Sequence, residues 1–584
     1  MLKRNSKLLD RKLYQYLLPS FFMVLAMQFG SLADGIIVGN LISDQALTAS
    51  SLVMPILFII QLPGFAIGTG GAIAVGAYLG KRETEKASKT FSICMIAGVG
   101  ASAVFALLAP VISAPLASLY LPTELCELGR RYIFVYLVTN PVITLALLLS
   151  FFISTDNSPR IASAFFVVSN IVKVGSEVLF ISAFKMDMYG AALSTAAGYA
   201  VGMVAVVFYI RSDKRMLSFS LKIKGSARLL GESVRASMTS ALNMILTAVQ
   251  MSVANIIIAN VVTDPALQAV FGVMANFVFG FDLLVGGINQ LIPTVCAVFY
   301  GEEDYFSLRA AARRLYFLTI IVTAALTGIL MINPGIYCKM FGVDVVGDEY
   351  FAIMRVYLLA FIPYELNKFS MSYYPSIGKN TPSMITVALR EAVLVLPLTI
   401  SMLYANGLMG YAMSQFLTEL FTLVLTYAFV FIYQKRKKLR GYGLFMIPPY
   451  SAEDSYDVSI DTSIKQSAAL SEELVSYSRA HGMSERDAQI VALAGEEIAD
   501  NIISYGYNKK RRNTIDVNLK IVNDKMVLRI RDDGVVFDPT KYERRSGDAA
   551  GGISLIKGLV SKMTYLRVLS LNNTVLEINI AKEN

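Results

Sequence analysis

Tryptophan is missing from all 584 residues, histidine occurs once, cysteine four times, and only 16% of the residues are charged. With a single histidine, His481, no His-based metal centre or proton relay can be assembled anywhere else in the chain. Cys94, Cys126, Cys296 and Cys338 lie far apart and form no Cys-x-x-Cys. They read as packing residues rather than a disulfide framework or a zinc site. The scarcity of charge excludes the most. Soluble domains carry about 25% charged residues, whereas this chain is 55% hydrophobic with a mean hydropathy of +0.56. A wholly soluble protein is excluded, and so are a disordered chain, a collagen-like repeat and a small disulfide scaffold.

What is present changes abruptly near Gly441. Lys and Arg number 34 up to Arg440 against 23 Asp and Glu, and 18 against 20 beyond it. The first part reads as membrane-embedded and the second as a soluble domain of ordinary charge density. The overall charge of +9 is therefore a membrane-topology charge and not a nucleic-acid footprint, so no nucleic-acid partner is expected.

Runs of ~20 mainly apolar residues, the length a bilayer requires, predict twelve helical spans. They cover roughly 14–40, 50–79, 91–113, 131–154, 161–184, 189–211, 233–260, 266–299, 314–334, 352–375, 382–404 and 409–433. Pro and Gly inside 50–79 and 266–299 suggest bends rather than extra spans. Lys and Arg in the connections are strongly one-sided. One side holds 26, including Lys3, Arg4, Arg11, Lys12, Lys81, Arg82, Lys214, Lys222, Lys224 and the QKRKKLR run at 434–440. The other holds Arg130, Arg131, Lys185, Lys339 and Arg355. The positive-inside rule then predicts a multi-pass protein of the bacterial cytoplasmic membrane with both ends in the cytoplasm. The basic N-terminus shows no cleavable signal-peptide pattern.

The halves repeat. LGKRE at 79–83 is matched by YGEED at 300–304, Asn140-Pro141 by Ile362-Pro363, DNSPR at 156–160 by KNTPS at 379–383, and MYGAALS at 188–194 by LMGYAMS at 408–414. The near-constant offset predicts two six-helix lobes, 1–220 and 221–440, around a cavity opening alternately to each side. PSFFMVLAMQFGSLADGIIVGN (19–40), GTGGAIAVGAYLGKRETEKA (68–87) and MYGAALSTAAGY (188–199) resemble the multidrug and toxic compound extrusion (MATE) family over about residues 10–435. The resemblance implies export of a small organic, often cationic, substrate in exchange for H⁺ or Na⁺.

Carboxylates within apolar spans are costly and read as functional candidates. Asp34, in GSLADGIIVGN, matches the first-helix acid that the family uses in ion coupling. In SNIVKVGSEVLFI (169–181), where the resemblance leads one to expect two Asn residues and then Asp, this chain has Asn170, Lys173 and Glu177. Lys173 and Glu177 stand at i and i+4 and can pair. A built-in ammonium weakens the case for Na⁺ and favours H⁺. The second half offers Asp282 and Glu419, without a partner nearby in sequence, together with Arg390–Glu391 and a Glu365–Lys368 pair at i and i+3. Aromatic and Met residues are plentiful enough to line a promiscuous cavity, though most will be packing.

After a turn-rich linker, 441–455, residues 456–584 read as an α/β domain. YDVSID forms a strand, 463–481 and 485–505 form helices, and TIDVNLKIV and KMVLRIR are strands joined by Asn523-Asp524. A helix at 551–563 and the strands TYLRVLSL and TVLEINI follow. In EEIADNIISYGY (496–507), Glu497 and Asn501 share a helix face, an arrangement able to activate a nucleophile and bind Mg²⁺. In RDDGVVFDP (531–539), an acid after a strand can accept from an amino group, and Gly534 lets backbone approach a flat ring. GDAAGGISL (547–555) is a Gly/Ala-rich loop opening a helix, suited to phosphate.

In this order the three segments resemble the ATP-binding boxes of the GHKL superfamily, with the anti-sigma-factor serine kinases the nearest branch. The resemblance implies ATP with Mg²⁺ as cofactors. It assigns Glu497 as general base, Asn501 as Mg²⁺ ligand, Asp532 as adenine contact, Gly534 as its supporting glycine, and Gly552 and Thr574 to the phosphates. Departures are Ala549 and Ala550 where the family has glycine, and Tyr505 where histidine is common. The fold class expected is an all-α, twelve-helix membrane protein with a C-terminal cytoplasmic α/β sandwich. The function expected is an ion-driven exporter carrying an ATP-binding regulatory or serine-kinase module, with an anti-anti-sigma-like protein as a possible partner. Two alternatives stay open: a membrane-anchored serine kinase whose spans sense a ligand, and a flippase for lipid-linked sugars.

Overall fold

The computed structural model describes residues 2–121, 123–156, 158–212, 215–220, 226–261, 265–335, 347–449, 455–507, 513–522, 525–542 and 551–580. Lys214, Lys222, Lys224, Cys338, Lys339, the Asn523-Asp524 turn and residues 547–550 of the Gly/Ala-rich loop lie outside them. The chain divides into two compact units. One holds Tyr16–Asp304 and Leu308–Ile447, the other Met1–Gln15, Tyr305–Ser307 and Pro448–Asn584. Sequence order alone assigns the first fifteen residues to the membrane part, but by contact they belong with the C-terminal domain.

The membrane unit is entirely helical among the described residues. Its long helices are α1 (Lys7–Leu41, whose first residues belong to the other unit), α2 (Asp44–Gly80), α3 (Thr84–Tyr120), α4 (Cys126–Thr155) and α5 (Pro159–Val178). They continue as α6 (Asp187–Gly202), α7 (Val204–Ile210), α8 (Ala227–Val261), α9 (Pro265–Gly301) and α10 (Tyr305–Ile332). The last four are α11 (Asp348–Leu359), α12 (Phe361–Ser376), α13 (Asn380–Ala388) and α14 (Val395–Arg436). Nine stretches among the described residues are long and apolar enough to cross a bilayer. The last of them, Asn380–Arg436, is 57 residues long, enough for two crossings of ~20 residues each. It breaks at Asn406 and Gly407, where Gly407 takes φ 56° and ψ −141°, a backbone state that side chains disfavour. As the sequence suggests, α2 with Pro55 and Pro63, and α9 with Pro293, each remain one helix.

Two π-helical turns, Leu179–Ala183 after α5 and Leu389–Val393 after α13, widen the backbone beside charged residues. Asp156, at the end of α4, accepts hydrogen bonds from the backbone N–H groups of Met216 (2.9 Å) and Leu217 (3.0 Å) and from the Tyr209 hydroxyl (2.5 Å). The turn-rich linker expected at 441–455 is seated on the membrane unit as far as Ile447. Tyr373 and Tyr374 donate to the carbonyls of Phe445 (2.9 Å) and Leu444 (3.0 Å), and Met446 and Ile447 are buried.

The C-terminal domain is a five-stranded antiparallel sheet with helices packed against it. Its strands are β1 (Ser455–Asp461), β2 (Thr514–Val522), β3 (Lys525–Asp532), β4 (Lys562–Val568) and β5 (Leu571–Asn579), in the order β1-β2-β3-β5-β4. Its helices are α15 (Ile464–Ala480), α16 (Glu485–Asn501) and α17 (Gly551–Leu559). Alternating apolar residues, among them Val517, Leu519, Leu528, Ile530, Leu576 and Ile578, pack with Leu470, Leu474, Val491 and Ile498 of the helices. The expected strands and helices are all present. The helix expected at 485–505 passes into a π-helical turn at Ile502–Gly506, and the one expected at 551–563 ends at Leu559 because β4 begins at Lys562.

Candidate functional site

Two groups of charged residues lie within the membrane helices. In the first, Lys173 on α5 donates to Asp34 on α1, Nζ to Oδ2, at 2.6 Å. This corrects the expected pairing of Lys173 with Glu177: a residue across the helix interface captures the ammonium from the i+4 position. Small residues allow the approach. A Cβ on Gly30 would lie 1.7 Å from Asn170 Oδ1, and one on Gly198 would lie 2.8 Å from Lys173 Cβ. Asn170 donates to the Phe166 carbonyl at 2.9 Å, so its amide bonds its own helix while its carbonyl side abuts Gly30. Glu177 is fully buried. Neither of its oxygens, nor Asp34 Oδ1, has a hydrogen-bond donor among the described residues.

The second group also re-pairs the expected residues. Lys368 forms its ion pair with Asp282 rather than with Glu365. Glu365, fully buried, accepts from Asn289 at 3.0 Å. Glu419 accepts from Arg390 Nε at 2.6 Å and from Asn367 at 2.7 Å, and Arg390 also meets Glu391 at 3.2 Å. The Arg390 guanidinium stacks 4.3 Å above the Tyr364 ring, with Lys368 5.2 Å from the same ring. Sequence reasoning missed Asn289, Asn367 and Tyr364, because neutral polar residues in apolar helices carry no charge to flag them.

In the C-terminal domain a cleft of about 310 Å³ opens between α16, α17 and the ends of β3 and β5. That volume is within the ~300–1,000 Å³ range of small-molecule sites. Asn501, Tyr505, Gly506, Asp532, Val536, Asn572 and Thr574 are among its lining residues. The Asn501 amide donates to Glu497 Oε1 and to the Glu497 carbonyl, both at 2.7 Å, leaving its own oxygen as the remaining acceptor. Gly552 lies against that acid: a Cβ there would be 2.0 Å from the Glu497 carboxyl carbon. Asp532 Oδ1 accepts from the Gly534 N–H at 2.7 Å and from Asn572 at 2.9 Å. A Cβ on Gly534 would lie 2.5 Å from the Gly506 carbonyl oxygen, so glycine permits the crossing of the two segments. Burial, with the neighbouring Asp533 charge, raises the Asp532 pKa to about 6.

Of the six residues expected here, Asn501, Asp532 and Thr574 line the cleft, while Glu497 bonds Asn501, Gly534 bonds Asp532 and Gly552 lies against Glu497. Asn572 was missed. It sits opposite Asp532 in the β3–β5 register, donates to Asp532 and the Val535 carbonyl, and accepts from Arg567 and Tyr565, each at 2.7 Å. The residues present fit a nucleotide with Mg²⁺: an amide oxygen for the ion, a buried carboxyl for an amino group, and apolar lining from Ile502, Val535 and Val536. Among the described residues, no cluster of three or more His, Cys, Asp or Glu is placed to hold a metal by protein ligands alone.

A family model described as MatE matches residues 19–179, and one described as Histidine kinase-like ATPase domain matches residues 460–578. The chain is thus a MATE-type membrane protein with a C-terminal histidine kinase-like ATPase domain. It is similar to the multidrug export protein MepA of Staphylococcus saprophyticus, at 21% identity over 74% of this chain and 97% of that protein. MepA of Staphylococcus haemolyticus is 23% identical over 50% of this chain and 68% of its own length. A solved multidrug resistance MATE family transporter of the MOP superfamily, in an outward-facing conformation, shares the fold. Its TM-score is 0.68 at 16% identity, over 75% of this chain and 99% of that one.

Proposed function

We propose that this protein is an efflux antiporter of the bacterial cytoplasmic membrane, exporting small organic compounds against an inward flow of H⁺, with an ATP-binding regulatory or serine-kinase domain in the cytoplasm. The similar MepA proteins are named for multidrug export, which supports the substrate class. Twelve spans in two six-helix lobes fit the helices. Dividing Asn380–Arg436 at its break makes ten of the nine stretches, and α8 with the α11–α12 pair brings the number to twelve.

The observation that carries the reading is the Asp34–Lys173 ion pair beside the donor-less carboxyl of Glu177. A proton shared between the two acids satisfies their orphaned oxygens, and its release leaves Lys173 to neutralise Asp34 alone. The Lys173 ammonium already supplies a cation to Asp34, which favours H⁺ over Na⁺. Asp282, Glu419 and their cations are assigned to the same work in the second lobe. In the domain, Mg²⁺ held by Asn501 would steady the phosphates of ATP, Asp532 would accept from the adenine amino group, and Glu497 would take the proton of an attacking hydroxyl.

The test is substrate flux in proteoliposomes under an imposed pH gradient, with Asp34→Asn as the variant. Gradient-driven flux should stop in the variant while nucleotide binding persists. Flux that requires ATP and ignores both H⁺ and Na⁺ gradients would overturn the antiporter. A second reading, a serine kinase whose helices sense a ligand, draws on the Glu497–Asn501 pair being set for phosphoryl transfer. It expects phosphorylation of an anti-anti-sigma-like protein that survives Asp34→Asn.

A further inference from the structure

The N-terminal arm supplies charge to the C-terminal domain at several places, and one of them adjoins the cleft. Arg11 reaches Asp533 at 3.0 Å and Asn513 at 2.8 Å. Lys12, nearly fully buried, donates to the Ser570 carbonyl at 3.2 Å and to Gln15 at 3.0 Å, with Asp533 at 3.8 Å. Further along the arm, Arg4 pairs with Asp516 at 2.7 Å, and the Lys3 carbonyl accepts from Ser459 N–H on the edge strand β1. A buried ammonium is costly unless its donors are satisfied, and Lys12 directs one donor to the Ser570 carbonyl and one to Gln15 of its own helix, with the Asp533 charge nearby.

Two of the residues that the arm touches, Asp533 and Ser570, lie next to the cleft walls in sequence. Asp533 follows Asp532. Tyr507, which follows Gly506, donates to Asp533 at 3.0 Å and accepts from its N–H at 3.0 Å. Ser570 precedes Asn572 by two residues, in the two-residue turn between β4 and β5. There Leu569 and Ser570 both take positive φ, 53° and 55°. Such a turn matches the strand twist but is strained for non-glycine residues, and the Lys12 ammonium holds its carbonyl.

We propose that Arg11 and Lys12 are positioning residues of the nucleotide cleft, holding Asp532 and Asn572 in place through Asp533 and Ser570, and that nucleotide occupancy is thereby registered at the start of α1. The inference rests on the nucleotide reading of the cleft. Because α1 is one helix, Lys7–Leu41, the element that registers the nucleotide also carries Asp34, about six turns further on. Pro19 lacks the N–H that would bond the Gln15 carbonyl, so the helix loses one hydrogen bond just beyond the segment that grips the domain.

The experiment uses the full chain in nanodiscs, with TNP-ATP as the probe. The Arg11→Ala/Lys12→Met double variant should bind TNP-ATP at least tenfold more weakly than the wild type. The conservative Arg11→Lys and Lys12→Arg variants should stay within threefold. In the wild type, saturating AMP-PNP should slow backbone hydrogen exchange over residues 7–15, a result that needs no variant to fold. Nucleotide bound by the wild type with no change in exchange there, and with full affinity in the double variant, overturns the inference alone. A wild type that binds no TNP-ATP overturns the cleft reading and this inference together.

Discussion

Burial of the Asp532 carboxyl, with Asp533 beside it, raises its pKa to about 6 although Asn572, the Gly534 N–H and Arg567 all pull it down. The folded value exceeds the ordinary 3.8, so the folded domain binds this proton more tightly than the unfolded chain does. The resulting stability is complete below about pH 4 and is lost as pH rises through about 6. Nucleotide affinity should run the other way, because an ionised carboxylate is a stronger acceptor for an adenine amino group than a neutral carboxyl. It should fall as pH drops through about 6, by up to about tenfold per pH unit, and TNP-ATP titrations from pH 5 to 7.5 check this. Asp532→Asn should flatten the profile, and a flat wild-type profile would count against the adenine contact. In the membrane helices, Arg390 sits between Glu419 and Glu391 with little solvent access. Arg390→Met leaves two buried acids without their cation and should cost about 3–5 kcal/mol, seen as a lowered Tm in detergent. The acids themselves were legible in the sequence because charge is rare in apolar runs. Their partners were not: Asp34 and Lys173 are 139 positions apart, and only helix packing decides that Lys173 meets Asp34 instead of Glu177.

Helix α16 brings Glu497 and Asn501 to one face, and two glycines on other elements close around the cleft that Asn501 lines. They should respond differently to a methyl group. At Gly552 the added Cβ meets the far end of the Glu497 side chain, which can rotate away. Gly552→Ala should therefore keep its Tm but displace the base, lowering ATP turnover or phosphoryl transfer about 100-fold. At Gly534 the obstacle is the Gly506 backbone carbonyl, which accepts from the Val535 N–H at 2.9 Å and cannot rotate aside without breaking that bond. Gly534→Ala should lose both thermal stability and nucleotide binding, and equal Tm values for the two variants would contradict this distinction. Elements of this domain were readable because a period of two along 515–519, 526–530 and 576–578 coincides with one buried sheet face. The order β1-β2-β3-β5-β4, which sets Asn572 opposite Asp532, comes from pairing across about 40 residues, and no local pattern encodes it.

At the scale of the whole molecule, the proposed function gives one chain two sources of energy, the buried ion pair in apolar helices and the cleft in an α/β domain. The sequence has no GxxxxGK[ST] loop of the kind that drives transport ATPases. The acids buried among the helices, by contrast, have the chemistry to load and release a proton at each turn of an alternating-access cycle. Coupling should therefore reside in the membrane unit and ATP should act as a modulator. In proteoliposomes with a fixed inward pH gradient, Glu497→Ala should leave initial flux without ATP within about twofold of wild type. It should remove whatever change in flux ATP hydrolysis causes in the wild type. Dissipating the gradient with an ionophore should stop flux in both proteins, with or without ATP. Flux that continues after the gradient collapses, and that Glu497→Ala abolishes, would transfer the motor role to the domain.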